Sequence, residues 1–175
     1  MSHALSESLP DRDGLSHAFR QVRAHSDHLA AALAPEDQVV QSMPDASPSK
    51  WHRAHTTWFF EQFVLQPHAP DYVPFDDAFS FLFNSYYVAA GARYPRAQRG
   101  LVTRPGVEET ARYRAHVDAA MTRLLDGGAG SELAELVILG LHHEQQHQEL
   151  LLTDVLHALA QNPLAWRGDG IAVLP

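Results

Sequence analysis

Between residues 14 and 34 the apolar positions Leu15, Phe19, Val22, Leu29 and Leu33 fall three, four or seven apart. That is the spacing of one helix face, and Pro35 ends it because proline lacks the N–H a helix needs. Residues 39–50 hold Pro44 and Pro48 and form a connector. Ser47-Pro48 is a start signal, serine as cap and proline at the first helical position, so a second helix is predicted over 48–66, stopping before Pro67. The proline-rich run 67–74 predicts a loop. The Phe- and Tyr-dense run 76–90 predicts a third helix ending near Gly91. Residues 92–106, with Arg93, Arg96, Arg99 and Arg104 among two prolines, read as irregular. A fourth helix is predicted over 107–125, closed by Gly127-Gly128. A fifth runs from Ser131, as its cap, to 161, stopped by Asn162-Pro163. No segment sustains the period-two alternation of a strand, and no internal repeat is visible. The expected fold is an all-α four-helix bundle with long crossover connections. It comprises a loose tail over 1–13, a helical domain over 14–164 and a turn-rich C-terminal tail over 165–175.

Composition narrows the chemistry. The chain has 175 residues, 45% hydrophobic and 19% charged, which describes one globular domain. Thirteen Lys and Arg against twenty-one Asp and Glu leave a net charge of −8, no footprint for a nucleic-acid backbone. There is no cysteine, which excludes disulfides, thiolate metal sites and cysteine nucleophiles. No apolar run approaches the ~20 residues of a bilayer span. The N-terminus lacks the basic and apolar regions of a signal peptide, so a cytoplasmic chain without a membrane partner is expected. Histidine is the outlier, with 12 copies. Without cysteine, imidazole is the one borderline-soft metal ligand present in quantity.

The histidines differ in setting. His143 and His147 are four apart in the fifth predicted helix, on one face, where they can share a metal ion. The expected inward stripe continues that face through Leu136, Gly140, Leu150 and Asp154. Two imidazoles on a buried stripe are costly unless their nitrogens find partners, and a metal supplies one. The second predicted helix adds His52 and His55, and periodicity does not choose between them. His3, His17, His25, His28, His68 and His116 read as surface or cap residues, and His142 and His157 lie a quarter turn to either side of the pair. A rival spelling is present. His143-Glu144-Gln145-Gln146-His147 matches H-E-x-x-H, in which Glu144 would be the general base of a zinc hydrolase.

Four ordered segments carry a resemblance. They are residues 43–61, containing Trp51-His52-Arg53-Ala54-His55, then Leu82-Phe83-Asn84-Ser85-Tyr86-Tyr87, then Pro95-Arg96-Ala97-Gln98-Arg99-Gly100, then residues 140–158. Together they resemble the N-terminal, DinB-like domain of the ergothioneine-biosynthesis sulfoxide synthases, the EgtB family. The resemblance implies a DinB-like four-helix fold. It implies a non-haem Fe(2+) held by three histidines matching His55, His143 and His147, and so selects His55 over His52. It implies an O2-dependent oxidoreductase that joins the sulfur of a cysteine-containing thiol, such as γ-glutamylcysteine, to the imidazole carbon of hercynine as a sulfoxide. Arg96 and Arg99 match a carboxylate clamp for the thiol, and Gln146 matches a hydrogen-bonding partner of the hercynine imidazole. Family enzymes continue into a C-terminal domain resembling the sulfatase-modifying-factor fold. The tail 165–175 does not obviously begin one, so the expectation is the metal-binding domain alone. The alternatives are a stand-alone metal-binding module that needs a partner chain, and the zinc hydrolase.

Overall fold

The computed structural model describes residues 12–85 and 91–164. Residues 1–11 of the expected N-terminal tail, all of the C-terminal tail, and Tyr86 and Tyr87 lie outside the described residues. The elements in order are α1 (Arg12–Ala31), a 3-10 turn (Asp37–Val39), α2 (Ser49–Phe59) running through a π-helical stretch (Phe60–Leu65) into α3 (Gln66–His68), α4 (Phe79–Leu82), a 3-10 stretch (Arg96–Leu101), α5 (Val107–Asp126) and α6 (Ser131–Ala160). No strand occurs among the described residues, so the fold is all-α, as the apolar spacing predicts.

Four long rods make the bundle. α1 packs against α5 and α6, and α2 packs against the same pair, which leaves α1 and α2 as diagonal neighbours. Leu15, Phe19, Trp58, Phe60, Tyr113, Val117, Met121, Leu125 and Val137 fill the space between them. Gly140 sets how closely α6 approaches α2. A Cβ there would stand 2.6 Å from the Phe60 ring and 2.8 Å from the Phe59 ring. The π-helical stretch begins at this contact, with Phe60.

Three expectations change. Within the described part of the third predicted helix, residues 76–85, a single turn forms, α4. Phe79 of that turn meets Tyr113 edge-on at 4.9 Å, and Phe75, in the loop before it, lies 5.5 Å from the same ring. Glu61 anchors that loop. It accepts from the Tyr72 hydroxyl at 2.5 Å and the Phe75 N–H at 3.2 Å, while its other oxygen accepts from the Tyr113 hydroxyl at 2.6 Å. Neither predicted serine cap forms. Pro48 and Gly130 hold the N-cap positions without side-chain bonds, and the Ser47 hydroxyl instead accepts from Arg99 at 2.9 Å.

The stripe on α6 is also rotated from its predicted phase. The buried positions are Ala134, Val137, Gly140, Leu141, Glu144, Gln148, Leu151 and Val155. Leu150 is exposed, and His143 and His147 sit at the edge of the buried face. The polar members of the stripe explain this. Glu144 accepts from Arg23 of α1 at 2.8 Å, from Ser26 at 2.6 Å and from Arg114 of α5 at 3.2 Å. Arg23 also donates to Asp118 at 2.7 Å and to Thr57 of α2 at 2.9 Å, and Gln148 donates to Ser26 at 2.9 Å. A satisfied ionic knot joins all four rods where the pattern predicts apolar contact.

Candidate metal centre

The whole of α2 is buried, so His52 and His55 are equally enclosed and no amphipathic phase separates them. What separates them is what each ring meets. The His55 ring lies between two indoles. It stacks on Trp51 at 4.6 Å and 13° and on Trp58 at 5.5 Å and 14°. Its Nδ1 stands 2.6 Å from the carbonyl oxygen of Phe83. A carbonyl only accepts, so Nδ1 carries the hydrogen and Nε2 keeps its lone pair. Phe83 ends the α4 turn, so the loop read as a third helix supplies the atom that orients this histidine.

His143 and His147 face His55 from α6. Their ring centroids lie 5.0 and 4.7 Å from His55 and 4.7 Å from each other. One ligand nitrogen from each of the three lies within 4.8 Å of the other two, a group that could hold a metal ion. Bonds of ~2.0–2.1 Å to imidazole nitrogen ask for small side-chain rotations to close it. Protonation is disfavoured throughout, as a ligand set needs. Burial pushes His143 down to about 4. Burial, with His143 alongside, holds His55 well below the ordinary value, and burial next to His55, His52 and His143 lowers His147 strongly. The donor set of three neutral imidazoles fits a divalent borderline metal, iron or zinc, and does not choose between them.

A cavity of about 230 Å³ opens beside these rings. Arg96, Arg99, Gln146 and Leu150 line it with Ser47 and Ser85. Arg99 is buried and rigidly placed. Its guanidinium lies 3.4 Å over the Trp51 ring and donates to Ser47 and Ser85, each at 2.9 Å. Trp51 therefore has His55 on one contact and Arg99 on another, which places the guanidinium beside the three imidazoles. Arg96 is exposed and donates to the Asp45 carbonyl, at 3.0 Å from its Nε. Gln146 is exposed at the cavity wall. So all six residues expected from the sequence, three histidines, two arginines and one glutamine, line one space.

Glu144 does not join them. It is one position on from His143, about 100° around the helix, and points into the ionic knot. Burial alone would raise its pKa, but Arg23 and Arg114 outweigh it and hold the carboxyl below its ordinary value. As the H-E-x-x-H base it would have to leave two guanidiniums. His17, His25, His28, His68 and His116 are exposed, as expected, and His3 lies outside the described residues. His142 is exposed, while His157 bonds Ser42 at 2.8 Å.

Sequence reasoning missed the contacts of His52. Its Nδ1 lies 2.9 Å from Nδ1 of His147, and its Nε2 lies 3.0 Å from Oδ2 of Asp154. Burial lowers its pKa, against the opposing pull of Asp154. The available signal was spacing: Asp154 follows His147 by seven residues, two helical turns along the same face.

Among the described residues no helix is long and apolar enough to cross a membrane. No protein-family model matches the chain, and no curated protein matches it.

Proposed function

We propose that this chain is the metal-binding domain of a non-haem Fe(2+), O2-dependent sulfoxide synthase of the ergothioneine-biosynthesis type, with a DinB-like bundle. The observation that carries the reading is the single cavity onto which His55, His143 and His147 converge together with Arg96, Arg99 and Gln146. His55, His143 and His147 would hold the iron. When bound, the ion offers a Lewis-acidic centre with open positions and one-electron redox chemistry, and it favours the thiolate form of a thiol. Arg99, with Arg96 at the rim, would bind the carboxylate of the cysteine-containing thiol by planar, paired hydrogen bonds. Gln146 would orient the hercynine imidazole. Trp51 and Trp58 exclude water from the back of His55, which keeps the ligand neutral.

Zinc hydrolysis is the weaker reading because the knot at Glu144 occupies the required base. The alternative of a metal-binding module completed by a partner chain uses the same six residues. The test is anaerobic metal loading of the purified chain, followed by oxygen uptake with hercynine and γ-glutamylcysteine, with and without a sulfatase-modifying-factor-like partner domain. One Fe(2+) per chain, lost in His55→Ala, with thiol- and hercynine-dependent oxygen uptake, is expected. Zinc uptake with amide hydrolysis that vanishes in Glu144→Gln would overturn it.

A further inference from the structure

We propose that Asp154 and His52 form a hydrogen-bonded chain that sets the tautomer of His147 and so presents its Nε2 lone pair to the cation. His52 and Asp154 are positioning residues here. The inference rests on the reading that His55, His143 and His147 hold a metal.

Each hydrogen in the chain is determined by its neighbour. Oδ2 of Asp154 accepts the Ser47 N–H at 2.8 Å, and a carboxylate oxygen has no hydrogen to give. Nε2 of His52, at 3.0 Å from that same oxygen, is therefore the donor. A neutral imidazole carries one N–H, so Nδ1 of His52 is left as an acceptor. It stands 2.9 Å from Nδ1 of His147, and two ring nitrogens at that distance need one hydrogen between them. That hydrogen belongs to His147. Its Nε2 is then the bare nitrogen. The opposite tautomer of His147 would set two lone pairs against each other at Nδ1 and put a hydrogen where the cation should bind.

The same job is done for His55 in a simpler way, by the Phe83 carbonyl. The chain on His147 ends in a carboxylate, so its bonds are charge-assisted and raise the basicity of the ligand. The side chains are well enclosed, with His52 4% and Asp154 11% exposed, so water does not readily substitute for either partner.

The experiment uses the metal-free chain, residues 1–175, with 15N-labelled histidine and reads the His147 tautomer from long-range 1H–15N correlations. Wild type should show Nδ1–H alone. Asp154→Ala and His52→Phe should each admit the Nε2–H form. In parallel, competition with a chelator for Co(2+) should show affinity falling 10–100-fold in both variants with the stoichiometry unchanged. Nε2–H at His147 in wild type overturns the proposal without any variant. So do variants whose tautomer and affinity match wild type. Asp154 is the more exposed of the two, so Asp154→Ala carries the comparison if His52→Phe does not fold. Should wild type bind no cation through the three histidines, the metal reading fails, and the tautomer measurement separately decides the wiring.

Discussion

His143 and Glu144 are adjacent on one helix, yet they face two regions with opposite chemistry. Around Glu144 every charge is answered. Two arginines and a serine from the other rods use its oxygens, and the carboxyl stays ionised although it is 1% exposed. Around His143 and His147 three imidazoles converge on one another, beside open volume. Glu144 is fully buried and His143 and His147 only partly, and what faces them differs as well: guanidiniums compensate the carboxylate, whereas imidazoles face imidazoles. Saturated polar contacts hold the bundle together, whereas converging donors with space beside them leave bonding capacity for something else. The knot is thus a scaffold for the cavity: it fixes the rotation of α6 that sends 143 and 147 toward α2.

The largest test breaks the knot. Glu144→Ala leaves Arg23 and Arg114 buried without their shared carboxylate and should lower unfolding free energy by about 3–5 kcal/mol. Chemical denaturation measures it. His147→Ala should cost the metal-free fold less than that, yet lower cation affinity by more than the 10–100-fold expected for losing an outer hydrogen-bond partner. A His147→Ala chain as destabilised as Glu144→Ala would erase the distinction between scaffold and site.

Acid should take the two regions apart in sequence. Burial holds His52, His55, His143 and His147 below the ordinary histidine value in the folded chain. Below about pH 6.5 the unfolded chain takes up protons that the folded chain refuses. Stability therefore falls as pH drops, by about 1.4 kcal/mol per pH unit for each imidazole that stays neutral. For His143 the window closes at about 4. Glu144 acts lower down. Its folded-state pKa is depressed, so its contribution is present above the unfolded carboxylate value and is lost as pH falls through the folded one. Denaturation midpoints of the metal-free protein against pH should show the histidine slope first. His143→Phe should flatten that slope, and Glu144→Gln should leave it in place.

A smaller effect tests the contact that joins the two regions. Gly140→Ala gains helix propensity of up to ~1 kcal/mol but forces a methyl against the Phe59 and Phe60 rings, an overpacking cost of about 1–3 kcal/mol. Net destabilisation by thermal unfolding is the expected sign. A stabilised variant would mean the rings yield freely and the α2–α6 spacing is not set there.

These contrasts also show why some of the molecule was legible in the sequence and some was not. The long rods α1, α5 and α6 announced themselves, because their apolar spacing and terminal glycine and proline signals agree. The spaced pair His143 and His147 was legible for the same reason: four residues is a distance a helix fixes. The phase of α6 was not, because its inward stripe holds Glu144 and Gln148, and a hydrophobic pattern assigns such residues to water. The partners that make them inward, Arg23 and Arg114, come from distant rods. α2 was ambiguous because it is buried on all sides, so His52 and His55 differ only in their neighbours, Asp154 and Phe83. Residues 76–85 misled because aromatic density is common to helices and to loops that plug a bundle. The cavity arginines were placed by resemblance, since a run of arginines among prolines is ordinarily a solvated loop.

The finest distinction lies between those two arginines. Arg99 is stacked on Trp51 and bonded to two serines, whereas Arg96 is exposed and held by a backbone carbonyl. Arg99→Lys keeps the charge but loses the planar stack and the fork, a stability cost of about 1–2 kcal/mol. Arg96→Ala should cost the fold less than ~1 kcal/mol, as an exposed contact does. Both should weaken binding of a thiol carboxylate while leaving cation affinity as in wild type, with Arg99→Lys the larger. Calorimetry with γ-glutamylcysteine and a separate chelator competition measure the two affinities. If cation affinity fell as far as thiol affinity, the arginines would be supports of the histidine cluster, and the cavity would have no anion-binding wall of its own.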